Sequence, residues 1–201
     1  MADLQDFTID TGRLQEKWDG RYRDSAGVSA PSRVVSDNAH LLPTEGRALD
    51  LACGLGANAM FLAAHGLAVE AWDLSPVALK KLAESASRQN LKLRMRVRDV
   101  IGQPPEPASF DVIVVGHFLD RGLMPSLIAA LRPNGLLFYQ TFVRESVTGK
   151  GPSNPDFRLG RNELLTLLPG LVIRVYREEG SVGDCTRGFR DLAMLVGQRP
   201  S

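Results

Sequence analysis

Apolar and polar positions change their spacing repeatedly along this chain, and those changes predict an alternation of helices and strands. Over residues 11–24, Leu14, Trp18 and Tyr22 recur at every fourth position, while Arg13, Lys17 and Arg21 form a neighbouring stripe. That is the pattern of a helix with one apolar face. A loop around Pro31 leads to a second predicted helix near 32–42, where Val34, Val35, Asn38, Leu41 and Leu42 are periodic and Pro43 and Gly46 stop the run. From Ala48 onward, short apolar runs suited to strands fall at 47–52, 68–73, 93–98, 111–115 and 135–142. Helices are predicted near 57–65, 76–88 and 121–131. Ser75 followed by Pro76 supplies an N-cap and then a proline at the first helical position. Strands separated by helices imply right-handed crossovers and a mostly parallel sheet.

The last part of the chain breaks this pattern. A polar segment at 143–160 precedes a helix near 161–168, and two apolar runs at 171–178 and 189–196 are joined by Glu179–Gly188. A connection of that size without a helix fits an antiparallel hairpin, because a parallel crossover needs more chain. The expected architecture is α/β: a doubly wound sheet of five parallel strands with a C-terminal antiparallel hairpin, seven strands in all. The 201 residues are expected to form a single domain, in which 1–45 are an N-terminal helical cap, 46–142 the core, and 143–201 a loop, helix and closing hairpin. A chain this long buries roughly 70% of its surface on folding.

Composition narrows the partners. The 24 basic and 23 acidic residues give a net charge of +1, so no global field draws the chain to nucleic acid or to an anionic membrane, and a small ligand is the expected partner. The start, Met-Ala-Asp-Leu-Gln-Asp-Phe, carries no apolar signal-peptide region. No run of about 20 apolar residues predicts a membrane span. Cys53 and Cys185 sit in unrelated contexts, forming neither a metal spacing nor a disulfide framework, so a cytoplasmic setting and no metal are expected.

The candidate chemistry lies at Arg47-Ala-Leu-Asp-Leu-Ala-Cys-Gly-Leu-Gly-Ala-Asn58 and the run ending at Asp73. A strand closing in Gly54-x-Gly56 lets backbone approach a ligand, and an acid at the end of the next strand accepts hydrogen bonds from ribose hydroxyls. Gly54-x-Gly56-x-x-Ala59 with Asp73 also satisfies a dinucleotide fingerprint. Three features point away from a nicotinamide enzyme: Asp50 inside the strand end, where apolar residues are usual; a third acid, Asp99, closing the third strand; and the terminal hairpin.

Leu49-Asp-Leu-Ala-Cys-Gly-Leu-Gly56, Val69-Glu-Ala-Trp-Asp-Leu-Ser-Pro76, Arg98-Asp99 and Phe110-Asp-Val-Ile-Val-Val115, with Leu131-Arg-Pro-Asn-Gly135 before the fifth strand, resemble in order and spacing the successive motifs of class I S-adenosylmethionine-dependent methyltransferases. The flanks Lys17-Trp-Asp-Gly-Arg-Tyr22, Pro31-Ser32 and Asn162-Glu-Leu-Leu165 resemble the tellurite-resistance-type branch of that family, although Ala57 stands where the branch often has Arg. The resemblance implies a Rossmann-like fold with the N-terminal helices over the cofactor site. It implies S-adenosylmethionine as cofactor, S-adenosylhomocysteine as product and a small-molecule methyl acceptor.

Residue by residue, the resemblance implies that Gly54 and Gly56 face the amino-acid end of the cofactor, that Asp73 holds the ribose and that Asp99 accepts from the adenine amino group with Val100 stacking nearby. Arg21, Tyr22, Asp50, Ala52, Cys53, Asn58, Leu74, Ser75 and His117 complete the expected cofactor set. Each acid also has a plain structural alternative: Asp73 as a helix N-terminal acid and Asp99 as a turn cap. Glu70, three residues before Asp73, points to the opposite face of its strand. Asp50 is expected to order the loop or a ligand-bound water and not to act as a base, and Cys53 to contribute shape and backbone. Arg21 and Tyr22 are expected to fold over the cofactor, with Arg21 meeting its carboxylate, against the alternative of a surface helix. His117, just past the fourth strand, is the one candidate catalytic residue, either touching substrate or serving as a base, against a structural histidine.

Ser153-Asn-Pro-Asp-Phe157 differs in position and residue from the Asn-Pro-Pro-aromatic motif of amino-group methyltransferases, which follows the fourth strand, where this chain reads Val115-Gly-His-Phe118. Arg144, Lys150, Arg158 and Arg161 are matched by Glu145, Asp156 and Glu163, so no anion pocket is expected there. In-line transfer from a sulfonium needs positioning above all. A soft sulfur, selenium or tellurium anion needs no base. The alternatives are an NAD(P)-dependent oxidoreductase, for which neither Tyr139 nor Tyr176 has a lysine four residues later, and a cofactor-binding sensor or scaffold without turnover.

Overall fold

The computed structural model describes residues 11–25 and 27–201; the first ten residues of the expected cap, and the reading of the chain's start, lie outside the described residues. Seven strands form one sheet: β1 (Arg47–Leu51), β2 (Ala68–Asp73), β3 (Leu93–Val97), β4 (Phe110–Gly116), β5 (Leu131–Phe142), β6 (Val172–Glu178) and β7 (Leu192–Gln198). Their order is β3-β2-β1-β4-β5-β7-β6. The first five run parallel, and β7 pairs antiparallel with both β5 and β6. The helices are α1 (Thr11–Arg23), α2 (Arg33–Ser36), α3 (Ala57–Ala64), α4 (Pro76–Arg88), α5 (Met124–Ala130) and α6 (Glu163–Leu167).

Period-2 alternation along the strands builds two cores. Leu49, Leu51, Ile113, Val115, Leu137 and Tyr139 face one side and pack against α5 and α6. Ala48, Val69, Ala71, Val112, Val114 and Phe138 face the other and pack with Val34 and Val35 of α2, Met60 and Leu62 of α3, and Leu79 and Leu82 of α4. The alternation also sorts the acids. Asp50 and Asp73 share the α2–α4 face with Ala48 and Ala71, while Glu70 and Trp72 lie on the opposite face.

Several boundaries differ from expectation, among them the last strand, which runs Leu192–Gln198 and not 189–196, and the helix Glu163–Leu167, expected over 161–168. The helix expected over 32–42 is one short helix, α2, followed by a 3-10 turn at Ala39–Leu41. Asn38 separates them: its side-chain amide donates to the Val34 carbonyl at 3.0 Å, taking the acceptor that a continuing helix would use. Helix α5 starts at Met124, not 121, since Asp120 accepts the Leu123 N–H at 2.8 Å and ends the preceding turn. The β5 pairing begins at Leu131, before an irregularity opposite Phe110/Val112, four residues earlier than expected.

Candidate functional site

In an open sheet of this kind the order reverses between β1 and β4, and the crevice beyond their carboxyl ends is where ligands bind. The chain places its least regular backbone there. Ala52 (φ 53°), Gly54 (52°) and Gly56 (75°) follow β1, and His117 (61°) follows β4. Left-handed Ala and His cost about 1–2 kcal/mol each, and such strain gathers at functional sites. A cavity of about 90 Å³ lies at this point, bounded by Ser29, Ser32, Cys53, Gly56, Asn58 and His117 among others. A larger open groove of about 600 Å³, between the 102–107 segment and α5, shares none of those residues. Its Arg98 is committed to the Gln103 and Pro104 carbonyls, each at 2.7 Å.

Asp73 ends β2 with 5% of its surface exposed, one carboxylate oxygen accepting the Gly54 N–H at 2.7 Å and the other the Ser75 N–H at 2.8 Å. Burial raises its pKa against the pull of these bonds. Each oxygen keeps a further lone pair. Ser75 caps α4 by accepting the Ala78 N–H at 3.1 Å, and its hydroxyl donates to Asp19 of α1. Leu74 between them is half-buried.

Asp50 is fully buried under the start of α3, accepting from the Ala59 N–H at 2.9 Å and the Asn58 amide at 3.5 Å. Burial dominates and pushes its carboxyl up to about 7. Asn58 in turn accepts the Ser32 N–H at 2.8 Å. Asp50 therefore orders the loop from beneath it. The Cys53 N–H extends the β1–β2 ladder to the Trp72 carbonyl at 3.0 Å, and burial raises its thiol well above the ordinary range. Gly56 is required by packing as well as by its φ, since a Cβ there would lie 2.3 Å from Leu82.

Helix α1 lies across this loop. A Cβ on Gly54 would come 2.8 Å from the Tyr22 hydroxyl, so Tyr22 rests where the glycine leaves room. Tyr22 stacks on Trp18 at 5.8 Å, and burial raises its phenol. Arg21 is exposed, its guanidinium 5.3 Å over the Trp18 ring. Lys81 of α4 fixes the end of α1 by donating to the Tyr22, Arg23 and Ser25 carbonyls at 2.7, 2.9 and 3.0 Å.

Asp99 is half-buried beyond β3. One oxygen accepts the Ile101 N–H at 3.0 Å, the turn-capping bond. Val100 is buried in the α5-side core with Trp72 and Leu123. His117 donates its backbone N–H to the Gln140 carbonyl at 2.7 Å, its ring lies 5.2 Å from Phe142, and burial of the ring lowers its pKa. The structure thus brings Tyr22, Ala52, Cys53, Gly54, Gly56, Asn58, Asp73, Ser75 and His117 to the switch point. Asp99 and Val100 sit one strand further out, and Arg21 faces solvent.

Gln140 and Gly116 were not among the expected residues. Gln140, 2% exposed, accepts the Val34 N–H at 2.9 Å and has its amide nitrogen 3.3 Å from His117 Nε2. A polar residue at an apolar-face position of Leu136-Leu-Phe-Tyr-Gln140 was the signal that marks it. A Cβ on Gly116 would lie 2.6 Å from the Ser32 hydroxyl, so this glycine lets the segment before α2 close over β4.

Known proteins resemble this chain over the region that carries the cradle. Residues 48–135 match the family described as "Methyltransferase domain". The chain is 36% identical over 118 residues to Hemagglutinin 1 of Eikenella corrodens, covering 55% of this chain and 38% of that protein. It is 31% identical over 120 residues to the Ubiquinone biosynthesis O-methyltransferase of Xanthomonas axonopodis pv. citri, covering 57% and 50%. It is 30% identical over 89 residues to the Probable S-adenosyl-L-methionine-dependent methyltransferase TehB of Haemophilus influenzae, covering 43% and 31%. The matched stretches span half or less of each relative's length. The crystal structure of TehB from Haemophilus influenzae superimposes with a TM-score of 0.64 at 21% identity, covering 92% of this chain and 66% of that one.

Proposed function

We propose, from the premise that this chain carries a class I S-adenosylmethionine-dependent methyltransferase domain with TehB-type relatives, that it transfers a methyl group to a small-molecule acceptor, a soft sulfur, selenium or tellurium nucleophile. The observation that carries the reading is the cradle at the β1–β4 switch point, where Gly54 is tied to Asp73 at 2.7 Å. Its residues suit the cofactor of that family. The remaining lone pairs of Asp73 are acceptors for two ribose hydroxyls, and Asp99, with one oxygen uncommitted to the Ile101 turn, suits an adenine amino group. The sulfonium of the bound cofactor supplies the activated methyl group.

The chain's own residues hold and enclose. Gly54 and Gly56, with Ala52, Cys53 and Asn58, shape the loop, and Asp50 positions it through Ala59. Leu74 and Ser75 carry Asp73 into α4, and Ser75 links it to α1. Helix α1 serves as a lid through Tyr22; in this reading Arg21 turns from Trp18 to meet the cofactor carboxylate. Residues 1–45 act as the cap, 46–142 as the cofactor-binding core and 143–201 as the acceptor side of one domain in a cytoplasmic protein. Support for a soft nucleophile is that no carboxylate is among the described residues bounding the cavity, and that burial lowers the pKa of His117 and so makes its ring a weaker base. The reductase alternative loses support because the Tyr139 hydroxyl is buried and donates to the Phe118 carbonyl at 2.8 Å.

A labelled-methyl assay over thiols, selenite, tellurite, phenols and small amines tests the acceptor. Transfer to a sulfur, selenium or tellurium compound is expected. Transfer confined to phenols or amines would refute the soft-acceptor reading, and cofactor binding with no transfer to any class would favour a sensor.

A further inference from the structure

We propose that Gln140 holds His117 as a neutral imidazole with its proton on Nδ1, making His117 a hydrogen-bond donor to the methyl acceptor and not its general base; this assignment of role rests on the methyl-transfer reading above. The argument starts at Val34. Its backbone N–H can only donate, and it donates to the Gln140 side chain at 2.9 Å, so that end of the amide is the oxygen. The other end is therefore NH2, and it lies 3.3 Å from His117 Nε2. An amide NH2 can only donate. His117 Nε2 must present its lone pair, which leaves the ring proton on Nδ1.

Gln140 cannot turn over to welcome a proton on Nε2, because its NH2 would then face the Val34 N–H in a site that is 2% exposed. Protonating His117 would set two donors against each other. Among the described residues bounding the cavity none carries a countercharge to offset that cost: burial shifts the Cys53 thiol further toward its neutral form, and Phe142 packs beside the ring. The backbone fixes the ring's origin through the bond from His117 N–H to the Gln140 carbonyl. Gln140 is thus a positioning residue that reads two elements at once, the start of α2 and the end of β4. A ring offering only an N–H suits an acceptor that arrives with its lone pair free, such as a thiolate, selenide or telluride.

Long-range proton–nitrogen NMR correlation of the imidazole rings tests this, with His117 assigned by its loss in His117→Asn, a residue that tolerates the left-handed backbone there. At pH 7, His117 Nε2 is expected at the shift of an unprotonated ring nitrogen and Nδ1 at that of a protonated one. Gln140→Glu keeps the acceptor for Val34 but sets a carboxylate against Nε2, so the proton is expected to move to Nε2 and the titration to rise by about one pH unit or more. A wild-type ring protonated on Nε2, or charged at pH 7, would overturn the proposal, as would a tautomer unchanged in Gln140→Glu. If that variant does not fold, the wild-type spectrum alone decides. The spectra need no turnover, so failure of the methyl-transfer reading would appear separately, as absent S-adenosylmethionine binding with the Nδ1–H tautomer intact.

Discussion

Asp191 and Asp50 are both buried acids, yet their neighbours drive them in opposite directions. Asp50 receives few donors, so burial wins and its carboxyl rises to about 7. At Asp191 burial also opposes ionisation, but the Thr148 hydroxyl and N–H, the Ser146 hydroxyl and the Val147 N–H all donate to it and lower it to about 2. A carboxyl lowered on folding stabilises the native state above its unfolded pKa, and the contribution disappears as pH falls through the folded value. Asp191→Asn, in a left-handed position that Asn accepts, is therefore expected to cost up to about 2.5 kcal/mol at neutral pH, narrowing toward zero between about pH 4 and 2. Urea unfolding across that range checks it, and a loss independent of pH would show that the carboxylate charge is not what matters. At this scale the sequence marked the glycines and acids of the cradle, because turn geometry and strand ends are local properties. It marked Gln140 only as a polar residue on an apolar strand face and Asp191 not at all, because their partners lie far away in the chain: Val34 for the first and residues 146–148 for the second.

At the scale of elements, α1 is held by polar contacts more than by burial, since none of its residues is fully buried. Three carbonyls at its end meet the Lys81 ammonium, whose charge also favours a helix C-terminus. Lys81→Met removes these charged hydrogen bonds, worth about 1.5–3 kcal/mol in typical cases. Hydrogen exchange at residues 18–23 is expected to quicken about tenfold or more while β1, β4 and β5 keep their protection; equal loosening of α1 and the sheet would contradict a latch specific to α1. Strands and helices were legible from period and caps, Ser75–Pro76 most clearly. A layer that no period announces covers the sheet face from β3 across β2 and β1 to β4, because the chain forms no helix between β3 and β4. Glu70 gathers Arg47, Arg94 and Arg96 at 3.1, 3.7 and 3.1 Å, while Arg98 lies 4.0 Å over Trp72 and Arg47 5.2 Å over Phe110. Arginine stems and cation–π contacts there cover aromatics that a helix would otherwise bury. In the 143–160 segment, Arg158 donates to the Val143, Lys150 and Pro152 carbonyls, and Glu163 of the Asn162–Leu165 motif pairs with Arg121 at 2.6 Å. These charges build the segment.

Across the whole molecule, the α/β plan was legible because five apolar runs, with helices between every consecutive pair but β3 and β4, admit few topologies, and the short 179–188 connection admits an antiparallel end. How the N-terminal segment docks was not legible in detail, since it depends on two side-chain amides of the core. Asn58 accepts from Ser32 and Gln140 from Val34, and together they close the crevice between β1 and β4. No helix among the described residues is long and apolar enough to cross a membrane. The central claim is that this crevice is a methyl-donor site organised by Asp73. Calorimetric titration with S-adenosylmethionine, S-adenosylhomocysteine and NADH, repeated on Asp73→Ala, tests it most directly. Both adenosyl compounds are expected to bind, NADH not to, and Asp73→Ala to weaken the adenosyl compounds by about tenfold or more, the worth of a lost charged hydrogen bond. Tight NADH binding without S-adenosylmethionine binding, or adenosyl binding indifferent to Asp73→Ala, would contradict the account.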